Sequence, residues 1–240
     1  MVSALRKIRK KLMEQNRAQR YFFYAIGEIF LVVIGILIAL QINTWNKEKQ
    51  NRVHEKTILK NLKEDLEIQK ELINEQIEFE TVVLAQIDTA WQFVSDSADK
   101  AVLSRLFSDL QGRRTFKANR ATFSNMISSG SINLVIKEDL QNNIIRYFQR
   151  LDYTESVVNN NNLFMTDVNF GAFVANNGLG LEVDEHNNIV SDTKFNSNLK
   201  ATTFAQLNYR RGGSESIKNL SETLLELTKT LIQEIEQYLK

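Results

Sequence analysis

Two histidines, His54 and His186, are the only imidazoles in the chain, and it has no cysteine. Neither histidine has a second one at helical ligand spacing, so the zinc-enzyme motifs are missing. The lack of cysteine also excludes disulfides, thiolate metal sites and a cysteine nucleophile. Asp184, Glu185, His186 and Asp192 could in principle hold a divalent cation from one loop, but they read better as solvated loop charge. The basic pairs Arg113 with Arg114 and Arg210 with Arg211 could receive an anionic ligand. Without a defined pocket they read as surface charge. No GxSxG elbow, phosphate-cradling loop or dinucleotide fingerprint is present, and Gly178-x-Gly180 follows a helical pattern rather than a strand. No catalytic residue, cofactor or metal is expected, and the chain is not expected to be an enzyme.

One ionisable residue stands out by its surroundings. From Tyr21 to Ile42 the sequence reads YFFYAIGEIFLVVIGILIALQI, 22 residues whose one charged side chain is Glu28. At about 1.5 Å per residue this stretch is long enough to span a hydrocarbon core of roughly 30 Å. Tyr21, Tyr24 and Trp45 flank it where amphipathic rings favour the headgroup layer. The residues around Ala39 make a poor signal-peptidase site, so an uncleaved transmembrane helix is expected rather than a cleaved leader. An acid inside such a span is costly, and suggests either an anchor for a partner helix or a group that exchanges protons; the plain alternative is a side chain that stays neutral or leans to the interface. Gly35 and Ala39 form a small-xxx-small pair that permits close helix approach.

The charge distribution orients this helix. Residues 1–20 carry seven Lys or Arg against one acid, Glu14, whereas from residue 43 onward there are 23 basic residues against 27 acidic ones. Arg6, Lys7, Arg9, Lys10, Lys11, Arg17 and Arg20 form a basic leader, with Leu5, Ile8 and Leu12 at helical spacing, as expected of an amphipathic cytoplasmic segment lying on anionic lipid. The positive-inside bias predicts a cytoplasmic N-terminus and an extracytoplasmic domain over 43–240. That domain is acidic overall, which argues against nucleic-acid binding.

The elements of that domain are expected to be helical. The chain has no proline, and no glycine lies between Gly35 and Gly112. Ile58, Leu62, Leu66, Ile73, Ile77, Val83, Ile87 and Val94 recur at helical intervals and predict a long amphipathic helix, broken near 95–99, which may be read as running on directly from the membrane segment. Gln69, Gln76 and Glu80 interrupt its apolar seam, favouring packing in a bundle over a free coiled coil. A short helix around 102–110 follows, then a helix, a turn at Gly130, and a longer helix whose Leu140, Ile144, Phe148 and Leu151 share a face. The pattern is read as a helix pair, not a DNA-reading motif. The run Asn159 to Asn162 fits a helix surface or a loop, and the apolar residues from Leu163 to Val174 carry the helix to about Ala175. Residues 181–190 resemble a small β-hairpin. A final helix built on Ile217, Leu220, Leu224, Leu227 and Leu231 is expected to be capped by Ser214 or Ser216 after Gly212 and Gly213. The predicted fold class is all-α: one N-terminal transmembrane helix leading into a long-helix bundle.

The segment YFFYAIGEIFLVVIGILIALQINTWNKEK, with RKIRKKL in the leader before it, closely resembles the opening of a large family of uncharacterised single-pass membrane proteins from Bacteroidetes. A second segment, around Thr122-Phe123, Ser128-Ser129-Gly130, Leu134, Asp139-Leu140 and Tyr147, is similar to a downstream pattern of that family, with Phe148 where another tyrosine is expected. The resemblance covers the N-terminal quarter well, the middle loosely, and residues 153–240 little. It implies an inner-membrane protein with a periplasmic domain, and no activity. The expected function is a membrane-anchored interaction or scaffold protein. Its partners would be the bilayer and either a protein or a second copy, reached through the membrane helix and the bundle. The alternatives are a periplasmic ligand-binding sensor-like module and an accessory subunit of an ion-driven membrane complex that uses Glu28.

Overall fold

The computed structural model describes residues 17–96, 100–177 and 197–240, together with Leu179 and His186. All regular structure among them is helical. Helix α1 runs Arg17–Asp96, α2 Lys100–Asp109, α3 Ala121–Ser128 and α4 Glu138–Asn161. A π-helical segment, Asn162–Gly171, continues α4 into the short α5, Ala172–Asn176, and α6 spans Ser197–Leu239. The expected hairpin at 181–190 lies outside the described residues, apart from His186, which sits in a turn.

The chain divides into two compact units, Met1–His54 and Glu55–Lys240. In the first, the described side chains of α1 are exposed almost throughout, including the whole of its most apolar window. α1 meets the length and composition of a membrane span and is a candidate for one. No helix break separates residue 42 from residue 55, because the intervening sequence contains neither proline nor glycine.

In the second unit, the predicted 3-4 repeat of α1 becomes a buried face. Ile58, Leu59, Leu62, Leu66 and Ile73 pack with Leu140, Ile144, Phe148, Leu151 and Val158 of α4 and with Ile217, Leu224, Leu231 and Ile235 of α6. Phe123 stacks on Phe148 with ring centroids 3.9 Å apart, tying α3 to this cluster. A second apolar cluster contains Val83, Ile87, Ala90 and Val94 of α1, Phe107 and Leu110 around the end of α2, Phe170, Phe173 and Val174, and Leu207 of α6. The turn between α3 and α4 is made at Gly130, whose φ of 71° is the left-handed conformation that only glycine adopts without strain. A short 3₁₀ turn, Ser131–Leu134, follows, and Glu138 and Asp139 occupy the first turn of α4, where acids complement the helix dipole.

One expectation about a helix end is corrected. α6 does not begin near Ser214 or Ser216; it starts at Ser197 and passes through Gly212 and Gly213. At Gly213 the packing is close, since a Cβ would stand 3.1 Å from Met165 Sδ, whereas a Cβ on Gly212 would meet nothing within 4 Å. The stretch from Leu163 to Val174 stays helical as expected, as the π segment to Gly171 and then as α5; Phe170, Phe173 and Val174 are buried while Leu163, Phe164 and Val168 are exposed.

Candidate functional site

Between the two apolar clusters lies a polar layer. On α1 it falls after Ile73 and before Val83, at Gln76 and Glu80; on α6 it falls between Leu207 and Ile217, at Arg210 and Ser214. Glu80 is 0% exposed and Arg210 1%. Burying two opposite charges costs several kcal/mol per ion unless hydrogen bonds replace the lost water. Arg210 meets that requirement well. Its Nε donates to the carbonyl of Leu110 at 3.2 Å, Nη2 to the carbonyl of Gly112 at 3.2 Å, and Nη1 to Ser214 Oγ at 2.6 Å. The guanidinium therefore caps the carbonyls that follow the last turn of α2, where a positive charge also complements the helix dipole. Gly112 makes this turn possible: a Cβ there would lie 2.8 Å from the Asp109 carbonyl.

Glu80 is less well served. Gln76 Nε2 donates to its Oε1 at 3.0 Å, but Oε2, like Gln76 Oε1, lacks a hydrogen-bond partner of good geometry. Burial pushes the Glu80 carboxyl above the usual carboxylate range, opposed by Ser214, by the charge of Arg210 and by Gln76. Burial likewise pulls the Arg210 guanidinium down, opposed by the charge of Glu80. The basic pair Arg210 with Arg211, read from sequence as surface charge, is thus split: Arg210 is a core residue, and Arg211 pairs with Asp88 at the surface. Arg113 pairs with Asp167 and Arg114 with Glu75.

A second polar system holds the connector between α2 and α3, residues 112–120, which has no regular structure of its own. Asn162 Nδ2 donates to the Arg114 carbonyl at 2.8 Å. Asn159 accepts from the Phe116 N–H and donates to the Phe116 carbonyl, both at 3.1 Å, and Glu155 Oε1 accepts from the Ala118 N–H at 3.1 Å. Positions 155, 159 and 162 share one helix face because they are four and three residues apart, and they meet alternate residues of the connector. From the other side, Gln69 Oε1 accepts from the Asn119 N–H at 2.7 Å, and Asp65 binds Asn119 Nδ2 and the Thr122 N–H. Gln69, read from sequence as an interruption of the apolar seam, is fully buried for this purpose. Sequence reasoning missed both systems; the available signal was polar residues at core positions of an otherwise regular 3-4 repeat.

In the N-terminal unit, Tyr21, Tyr24 and Trp45 are exposed, as is Glu28. A Cβ built at Gly35 would meet nothing within 4 Å. Ala39 is exposed on the same helix, four residues on. Of the basic leader, Arg17 and Arg20 lie in the first turns of α1; Arg6, Lys7, Arg9, Lys10 and Lys11 are outside the described residues. So are Asp184, Glu185 and Asp192, which leaves His186 as the one described member of that cluster.

The second unit also exposes a run of large apolar side chains. Tyr153 on α4 and Leu163, Phe164 and Val168 on the π segment are each about half exposed, with Phe164 at 56%. Tyr153, Phe164 and Val168 fall close to one face, since eleven residues of α-helix make just over three turns.

Taken together, these features define an all-helical chain in which an unburied apolar helix precedes a bundle with a charged middle layer. The chain belongs to a family of unknown function, DUF6090, whose model matches residues 28–206. The match takes in the whole connector system and, of the polar layer, Gln76 and Glu80 of α1 but not Arg210 and Ser214 of α6, and extends well beyond the N-terminal quarter in which the resemblance is strongest. Comparison with curated proteins and with solved structures returns no match.

Proposed function

We propose that the chain is a membrane-anchored helical interaction or scaffold protein without catalytic activity. The observation that carries this reading is the apolar stretch of α1 from Tyr21 to Ile42, none of whose most apolar window is buried within the protein. So large a continuous apolar surface is unstable in water and is accounted for by lipid. The exposed run of Tyr153, Leu163, Phe164 and Val168 supports a protein contact on the bundle, since contiguous apolar surface marks interaction sites. Glu28, Gly35 and Ala39 supply a second contact within the membrane helix, and the partner is another protein or a second copy. The basic leader supports an N-terminus in the cytoplasm and a periplasmic domain, the protein being held in a bacterial inner membrane.

A second reading, a sensor-like module, is favoured by the polar layer, because buried charge is the kind of feature through which a bound ligand or a proton biases helix packing. In either reading no nucleic acid and no cofactor is required.

Cell fractionation followed by crosslinking in intact membranes tests the proposal. The chain should remain with membranes after an alkaline wash, and a specific crosslink should be lost in Glu28→Gln or in the double variant Phe164→Glu with Val168→Glu. Recovery in the soluble fraction would refute the anchor; crosslinks unchanged in both variants would refute the contacts. Because the chain has no cysteine, Ser3→Cys and Ser216→Cys give single labelling sites. An impermeant maleimide should reach the second and not the first.

A further inference from the structure

The polar layer contains an imbalance that packing alone does not explain. Arg210 directs its hydrogen bonds to two backbone carbonyls and to Ser214, so its charge is already compensated by the C-terminal end of α2. Glu80 accepts from Gln76 on Oε1, with Ser214 also favouring its ionised form, and its Oε2 has no partner of good geometry although the side chain is fully buried. A carboxylate there keeps one oxygen without a hydrogen bond; Ser214, the charge of Arg210 and Gln76 favour the ionised form, and burial, the largest influence, favours the neutral one. Full burial and the unpartnered Oε2 thus favour a proton on Glu80 against these contacts, while Arg210 keeps its two carbonyl partners in either case.

We propose that Glu80 is a proton-operated switch in the middle of the bundle: its neutral form lets the two apolar clusters pack through the layer, and its ionised form loosens α6 and the π segment at that level. The facing groups are few. Gln76 lies on the same helix, Arg210 and Ser214 come from α6, and Arg210 is the one whose charge acts on Glu80. The remaining charged groups near these positions, Arg113, Arg114 and Arg211, are engaged at the surface by Asp167, Glu75 and Asp88.

The π segment is the part most ready to respond. π-helical turns are rare, form mostly as single-turn insertions and are found frequently at functional sites. This one contacts both sides of the layer. Met165 packs against Gly213, beside Ser214, and Asn162 holds the Arg114 carbonyl, two residues after the Gly112 carbonyl that receives Arg210. Burial raises the carboxyl's midpoint, so ionisation occurs at a higher pH than in exposed glutamates. A raised midpoint means that the stabilisation is complete below the unfolded-state midpoint and is lost as pH rises through the folded-state one.

Amide hydrogen exchange on the full-length chain in detergent micelles, corrected for intrinsic rates and followed from about pH 5 to about pH 9, tests the switch. Peptides covering residues 162–176 and 203–217 should lose protection as pH rises, by about tenfold for each pH unit separating folded and unfolded midpoints. Glu80→Gln should keep them protected across the range. Protection in the native chain that does not change with pH, or a slope that persists in Glu80→Gln, overturns the proposal. Should that variant fail to fold, carboxyl 13C titration of the native protein decides: a Glu80 signal titrating together with the exposed glutamates refutes it, and one titrating above them supports it.

Discussion

Replacing Asn159 by alanine removes both hydrogen bonds that its side chain makes with Phe116 and leaves an N–H and a C=O without partners beside a residue that is 3% exposed. An unsatisfied buried polar group costs about 1–3 kcal/mol, so two of them at a partly buried site cost about 3 kcal/mol. For a domain of this size each kcal/mol lowers the melting temperature by about 2–4 °C, giving a fall of about 6–12 °C. The neighbouring Asn160 is the internal control. It is exposed, its side chain donates to Ser156 Oγ at 3.4 Å, and its loss should change stability by no more than about 0.5 kcal/mol. Alanine favours the helix by a few tenths of a kcal/mol at both positions, so the difference between the two variants isolates the connector contacts. Thermal unfolding of the full chain in detergent, followed by far-UV circular dichroism, reads that difference. Equal melting temperatures for the two variants would refute the orientation of α4 and the role assigned to its 155–159–162 face.

The other predictions concern the core. Arg210→Met should cost about 3–5 kcal/mol in urea unfolding, because it leaves two carbonyls and Glu80 without their donor and countercharge; adding Glu80→Leu should recover part of the loss. Gly213→Val places a side chain where a Cβ is already 3.1 Å from Met165 Sδ, and should destabilise by about 1–3 kcal/mol, measured by the same unfolding curves. Burial pushes the Tyr147 phenol up to about 12, with the bond to Thr228 opposing the shift. Its contribution to stability is therefore complete below the unfolded value of about 10 and is lost as pH rises toward about 12; Tyr147→Phe should remove that part of the alkaline dependence, read by ultraviolet absorbance and circular dichroism.

Much of the fold was legible because apolar spacing is a direct record of burial. Leu140, Ile144, Phe148 and Leu151, or Ile58, Leu62 and Leu66, can share a face only on a helix, and all are buried. What escaped the sequence reading was polar. Gln69, Gln76 and Glu80 look like defects in a seam when only apolar residues are counted; Gln76 meets Glu80 one turn away, but Gln69 is met by Asn119, 50 residues on, and Glu80 by Arg210 and Ser214, 130 residues on or more, and no local pattern carries that information. The start of α6 was misplaced for a related reason: a glycine pair weakens helix propensity, and the close approach of Met165 to Gly213 is not visible in the sequence. The π segment has no sequence signature in its composition. Of the candidate residues, Arg210 was misread because a charged side chain is almost never fully buried.

The connector over 112–120 is a stretch without regular structure whose length is nevertheless fixed. Because α4 grips alternate backbone positions at Arg114, Phe116 and Ala118, while Asn119 is held from α1, deleting or adding one residue would turn Phe116 out of the core and present the wrong backbone groups to Asn159 and Asn162. Ordinary surface loops absorb such changes at little cost. Within this family, insertions and deletions should therefore avoid this segment, and alignments of its members should count the same number of residues from Gly112 to Arg120 even where the side chains between them differ.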